Sequence, residues 1–199
     1  YDQPETAKNW LKNYLIKNLE SGQYQINYPF DTKFFESIER IEIIACGTSK
    51  HAAMVGKFLL EQFSGIPTNV FYASEFRYSP PPLLPNTLTI GVTQSGETAD
   101  TIAAIDMEIK RRSSKEDKKF TPNLIAITNR KESSIGRQVL NIIDICAGIE
   151  VGVAATKTFF GQLLSFYGLA IKFAQIKGTQ SSDEIDKLIT ELIKLPPLI

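Results

Sequence analysis

The sequence is poor in the residues that build metal sites and cross-links. It holds one histidine, His51, and two cysteines, Cys46 and Cys146. One imidazole gives no basis for a His-rich metal centre, so no metal is expected. Each cysteine sits inside an apolar run. Both therefore read as thiols of a reducing compartment, the cytoplasm, rather than a disulfide framework. Charge of neither sign prevails, because 22 Lys and Arg balance 22 Asp and Glu. No basic field points to nucleic acid. No run of about 18 apolar residues is present, so neither a membrane span nor a signal peptide is expected. Internal repeats and low-complexity tracts are lacking too. The chain opens on Tyr1 rather than Met and closes on Ile199 just past Pro196 and Pro197, ends that read as cut from something larger. What is present is 199 residues, 43% hydrophobic, enough for one α/β domain with a sizeable core.

Apolar strands and amphipathic helices alternate along most of the chain. The leading segment predicts a helix over residues 4–19, with Trp10, Leu11, Tyr14, Leu15 and Leu19 on one face and Ser21-Gly22 ending it. A short helix is predicted over 31–37. Strands are predicted at 41–45, 69–73, 87–92, 123–128 and 142–147. Helices are predicted at 48–64, closed by Gly65, and at 97–112, 134–138, 156–177, ended by Gly178, and 183–195. Pro80-Pro81-Pro82 and Pro85 mark a rigid loop, and 111–119 reads as a charge-rich surface loop. Strands spaced by helices predict a three-layer αβα sandwich of the flavodoxin or Rossmann type, around a five-stranded parallel sheet covered on both faces. Such sheets bind ligands at the carboxyl ends of their strands. The expected division is a helical lead-in over 1–40, the sandwich over 41–178, and a helix over 179–199 leading to a further domain.

The run Thr93-Gln94-Ser95-Gly96-Glu97-Thr98 joins a predicted strand to a predicted helix. It brings three hydroxyls, an amide and a glycine to a helix N-terminus, where free N–H groups and the helix dipole favour an oxyanion such as phosphate. No lysine or arginine lies in it, so neutral donors would do the binding. Cys46-Gly47-Thr48-Ser49 repeats the layout after the first strand of the sheet. Two such turns could close on one phosphate; alternatively, Thr48 and Ser49 are ordinary helix caps. A third candidate turn runs from Glu150 through Gly152, Val153, Ala154 and Ala155 to Thr156-Lys157, where Gly152 allows close approach. The alternative there is a plain tight turn.

Four motifs occur in one order: Cys46-Gly47-Thr48-Ser49, Ala73-Ser74-Glu75-Phe76-Arg77-Tyr78, Gln94-Ser95-Gly96-Glu97-Thr98-Ala99-Asp100-Thr101 and Gly152-Val153-Ala154-Ala155-Thr156-Lys157. Together they resemble the first sugar-isomerase (SIS) half of the glutamine–fructose-6-phosphate amidotransferases, the glucosamine-6-phosphate synthases. Tyr1-Asp2-Gln3-Pro4 looks like the start of that isomerase domain. The resemblance implies synthesis of glucosamine 6-phosphate from fructose 6-phosphate and glutamine by a homo-oligomeric enzyme without a cofactor. It assigns the sugar phosphate to Ser49, Thr93, Gln94, Ser95 and Thr98, and the sugar to Thr48 and the backbone at Val153. Cys46, Gly47, Gly96 and Ala155 complete the set. Thr93 and Ala155 stand where the family usually has serine, which leaves a hydroxyl at the first position and removes one at the second. The resemblance places no catalytic residue in this chain. The Schiff-base lysine, the proton-moving glutamate and a histidine crossing a dimer belong to a second SIS half, and glutamine is handled by a separate glutaminase domain. Lys157 matches a family lysine other than the Schiff-base one.

Other residues have plainer readings. His51, one turn into its helix, reads as a surface histidine rather than a base. Cys46 has no obvious base beside it, which argues against a nucleophile. Glu75 and Glu150 read as acceptors for backbone N–H groups, and Glu97 suits a first helical turn provided it points away from a bound phosphate. Rival functions are a non-catalytic sugar-phosphate sensor, a dimerisation module built on the first and longest helices, and another SIS isomerase or deglycase.

Overall fold

The computed structural model describes residues 2–19, 22–31, 33–152 and 154–199. In chain order the elements are α1 (Gln3–Tyr14), β1 (Leu15–Lys17), β2 (Tyr24–Ile26), α2 (Lys33–Glu36), β3 (Arg40–Ala45), α3 (Gly47–Ser64), β4 (Thr68–Tyr72) and α4 (Ala73–Tyr78). They continue with β5 (Thr87–Thr93), α5 (Ala99–Ser113), β6 (Asn123–Thr128), α6 (Ser134–Gln138), β7 (Ile142–Asp144), α7 (Lys157–Lys177) and α8 (Ser182–Lys194). Among the described residues, no helix is long and apolar enough to cross a membrane.

Five strands form a parallel sheet in the order β4-β3-β5-β6-β7. β3 and β5 are buried along almost their whole length, as their continuous apolar runs require of strands covered on both faces. On one face Ile41, Ile43, Leu88 and Ile90 pack with α3, α7, Trp10 of α1 and Ile185 of α8. On the other, Ile44 packs with Phe76, Ala104, Ile105 and Ile135 of α4, α5 and α6. The chain leaves β3 toward β4 on one side and returns to β5 on the other. The carboxyl ends of β3 and β5 therefore flank the topological switch point.

The structure corrects the predicted elements at four places. The first helix stops at Tyr14 rather than continuing to residue 19. Leu15–Lys17 instead pairs antiparallel with Tyr24–Ile26, with Leu15 opposite Ile26. The apolar spacing that suggested a helix continues into this hairpin, but Leu19 lies in its turn, 96% exposed. Gly22, at φ +72°, helps reverse the chain there, while residue 21 lies outside the described residues. Next, the strand predicted to reach residue 73 ends at Tyr72, and α4 follows it directly. The last strand ends at Asp144 rather than 147. Cys146 takes φ +56° and its N–H turns back to Asp144 Oδ1 at 2.8 Å. Finally, where the predicted helix over 97–112 and the predicted loop over 111–119 overlap, the helix holds: α5 runs to Ser113 and includes Arg111 and Arg112.

Arg112 is only 1% exposed. Its Nε donates to Glu108 Oε1 at 2.7 Å and its Nη1 to the Leu84 carbonyl at 3.1 Å. Arg111 donates to Glu108 at 2.9 Å and to the Pro81 carbonyl at 2.6 Å. The two arginines thus fasten the proline-rich loop to α5. Glu42, buried on β3, faces this group. Burial, and then the neighbouring Glu108 charge, push its carboxyl up to about 7, against the opposing pull of Arg112, Arg111 and Arg40.

Candidate functional site

β3 and β5 lie side by side, with Ala45 opposite Val92. The next residues, Cys46 and Thr93, open the two polar turns, so both turns leave the sheet at adjacent strand ends. Each leads directly into a helix longer than three turns. The N–H groups of Gly47, Thr48 and Ser49 at the start of α3, and of Ala99, Asp100 and Thr101 at the start of α5, have no acceptor among the described residues. Such groups are the natural partners of an anion.

The hydroxyls are not helix caps. Cys46 and Thr98 occupy the N-cap positions of α3 and α5, and neither makes a side-chain cap bond. Three of the hydroxyls, Ser49, Ser95 and Thr93, each accept a hydrogen bond. Ser49 Oγ accepts from Gln162 Nε2 of α7 at 2.9 Å. Ser95 Oγ accepts from the Glu97 N–H at 3.1 Å. Thr93 Oγ1 accepts from the Gly96 N–H at 3.3 Å and lies 2.7 Å from Thr98 Oγ1. A hydroxyl has one proton and two lone pairs; each of these bonds takes one lone pair and leaves the proton free to donate elsewhere. Thr93, 2% exposed, sits behind Thr98. If its proton goes to Thr98 Oγ1, the Thr98 proton is free to point outward.

Two glycines shape the turns. Gly47 takes φ +55° and Gly96 φ +71°, backbone that side chains rarely adopt. At Gly96 a Cβ would also lie 1.9 Å from Ser133 Oγ. The turn is therefore pressed against the start of α6. Glu97 completes that contact by accepting from the Ser134 N–H at 2.9 Å and from Ser134 Oγ at 2.6 Å. These bonds hold its carboxyl below the usual carboxylate range and point its charge away from the turn.

Of the other predicted positions, Thr48 and Gly47 are exposed, while Cys46, Gln94, Ser95, Thr98 and Ala155 are partly covered. Val153 lies outside the described residues. Gln94 lines a cleft of about 220 Å³ with Asn129, Arg130, Gly148, Ile149 and Glu150. Asn129 holds its far wall, donating to the Gly148 carbonyl and accepting from the Ala147 N–H. Glu150 accepts from the Thr156 and Lys157 N–H groups and from Thr156 and Thr158 hydroxyls. Burial alone would raise its carboxyl, but these donors outweigh burial and hold it below the usual range. Lys157 pairs with Asp2 at 2.8 Å. His51 is exposed. Both cysteines are free and partly covered; burial, then the Asp144 charge, push the Cys146 thiol up to about 12. Among the described residues no cluster of His, Cys, Asp and Glu could hold a metal. Gln162 escaped the sequence reading, although an amide set among the apolar residues of the first half of α7 is a legible signal of a buried polar role.

Residues 34–172 match the family described as SIS domain. The chain belongs to this family. This SIS domain is 52% identical, over 98% of its length, to the glutamine–fructose-6-phosphate aminotransferase (isomerizing) of Thermosynechococcus vestitus, and covers 32% of that protein. It is 48% identical, over its whole length, to the enzyme of the same name from a Synechocystis species, again covering 32%. The chain thus spans about a third of the length of these relatives. Among solved structures it resembles the C-terminal domain of glucosamine-fructose-6-phosphate aminotransferase from Francisella tularensis. There the TM-score is 0.85 and the identity 30%, with all of this chain and 52% of that one covered.

Proposed function

We propose that this SIS domain is the sugar-phosphate-binding half of the isomerase unit of a glutamine–fructose-6-phosphate aminotransferase. It would hold fructose 6-phosphate, and the product glucosamine 6-phosphate, during synthesis of the amino sugar. The observation that carries this reading is the pair of neutral donor turns at adjacent strand ends, in which Ser49, Ser95 and Thr93 each accept one hydrogen bond and keep a proton to donate. Ser49, Ser95 and Thr98 donate to the phosphate, with the first-turn N–H groups of α3 and α5 behind them. Thr93 supports Thr98, and Gln94 borders both the phosphate and the adjoining cleft. Thr48, the backbone at Val153 and the segment at Ala155 face the sugar.

In this reading the chain binds and orients the substrate and supplies no acid, base or Schiff-base lysine. Proton transfer and ammonia delivery from glutamine belong to the remainder of the enzyme. Two free thiols suit a reducing compartment such as the cytoplasm. Exposed Met54, Val55 and Phe58 on α3 offer an apolar face in keeping with a homo-oligomer.

A hydrogen bond to a charged group contributes about 1.5–3 kcal/mol, so Ser49→Ala or Thr98→Ala should weaken sugar-phosphate binding about ten- to a hundredfold. Calorimetric titration with fructose 6-phosphate and glucosamine 6-phosphate, against unphosphorylated glucosamine, measures this. Unchanged affinity in both variants overturns the phosphate assignment.

A further inference from the structure

Gln162 lies in α7, 1% exposed, with its amide against the first turn of α3. The two helices are held close by Gly56, where a Cβ would meet the Phe166 ring at 2.4 Å. Gly56 lies two turns beyond Ser49 on α3, and Phe166 one turn beyond Gln162 on α7. The stripe that brings the helices together therefore also brings the amide to the serine.

The amide has two ends and one partner. Nε2 donates to Ser49 Oγ, and Oε1 has no donor among the described residues. Turned the other way, the amide would leave an NH2 group unpaired in the interior. Buried N–H groups without acceptors are rarer than under-satisfied carbonyls, which favours the observed orientation. That orientation has a consequence for Ser49. Near a helix start, a serine hydroxyl can turn back to a carbonyl of the preceding turn or face outward. Nε2 occupies the α7 side, and among the described residues Ser49 Oγ donates to no carbonyl of the preceding turn, so the Ser49 proton is left to the anion side.

We propose that Gln162 is a positioning residue for the anion site: by donating to Ser49 Oγ it directs the Ser49 proton toward the phosphate of the substrate. It touches no ligand itself. The inference rests on the sugar-phosphate reading above and adds to it the device that makes Ser49 a donor.

The test is a double-mutant cycle on binding of glucosamine 6-phosphate, with inorganic phosphate as a second probe. Gln162→Met keeps the length of the side chain and removes its donor; it should weaken binding roughly tenfold. In the Ser49→Ala background the same change should cost nothing further, because Gln162 acts only through Ser49. Equal losses in the two backgrounds would mark a packing role and overturn the inference, as would an unaltered affinity in Gln162→Met. If Gln162→Met does not fold, Gln162→Glu serves instead. Once ionised, that carboxylate accepts the Ser49 proton, so its affinity should fall with rising pH more steeply than in Ser49→Ala/Gln162→Glu. Matching pH profiles overturn the inference. Absence of phosphate-dependent binding in the unaltered protein overturns the sugar-phosphate reading and this inference with it. Binding with additive losses overturns the inference alone.

Discussion

Replacing Gly96 with alanine tests whether the second turn is held in one conformation from both sides. The residue sits at φ +71°, and an L-residue in that region pays about 1–2 kcal/mol. The added methyl would also stand 1.9 Å from Ser133 Oγ and 2.3 Å from Ser133 Cβ. Rotating the Ser133 side chain clears only the first contact. Ser133 is fixed besides, by its own bond to the Arg130 carbonyl at 2.6 Å. The start of α6 must therefore move against the Glu97–Ser134 bonds, an overpacking cost of about 1–3 kcal/mol. Together the two effects predict a loss of about 2–5 kcal/mol, a large share of an ordinary domain's stability. Urea unfolding followed by circular dichroism measures it. In a Ser133→Gly background, which removes the clashing atoms, Gly96→Ala should cost only the backbone strain of about 1–2 kcal/mol relative to Ser133→Gly alone. Stability of Gly96→Ala within about 0.5 kcal/mol of the parent would refute the reasoning, since that is the range of inert surface changes.

The buried charges on the same sheet face carry two more expectations. Glu42 titrates near 7 in the fold against an ordinary value of 4.5. The native state therefore holds a proton that the unfolded chain has released, and stability falls as pH rises from about 4.5 through 7. The span corresponds to about 3 kcal/mol, and urea midpoints for Glu42→Gln should be flatter over that window; parallel profiles would contradict it. Arg112→Leu leaves Glu108 buried with Arg111 alone and should cost about 3 kcal/mol, whereas Arg112→Leu with Glu108→Leu should recover much of it in the same assay.

The parts of the fold legible in the sequence are those that local pattern controls. The apolar runs of β3, β5 and β6 announce strands buried on both faces. Gly65 and Gly178 end their helices at φ +69° and +64°, as a glycine after an amphipathic run suggests. The two turns were legible as candidate anion sites because hydroxyls and glycine gather where strand meets helix. Their adjacency, however, is a fact of strand order. What escaped depends on partners distant in sequence. Leu15 belongs to a hairpin because Ile26 pairs with it, not because the periodicity ends. Arg112 is buried because Glu108 and the Leu84 carbonyl receive it, whereas its sequence neighbours are the charges of a surface loop. Ser49 looks like a cap until Gln162, far along the chain, supplies the bond that defines its direction.

The absence of lysine and arginine from both turns bears on how a ligand arrives as well as how it is held. Lys50, the nearest residue along the chain, turns its ammonium over the Tyr72 ring at 3.3 Å instead of toward the turn. Without a fixed cation in the turns, encounter gains little from electrostatic steering, and ionic strength should change the association rate only weakly. A neutral cradle also gives polyanions little to hold. On the proposed reading, it would remain open to a small phosphate ester in a solution crowded with nucleotides and nucleic acids, selecting by the directions of its protons.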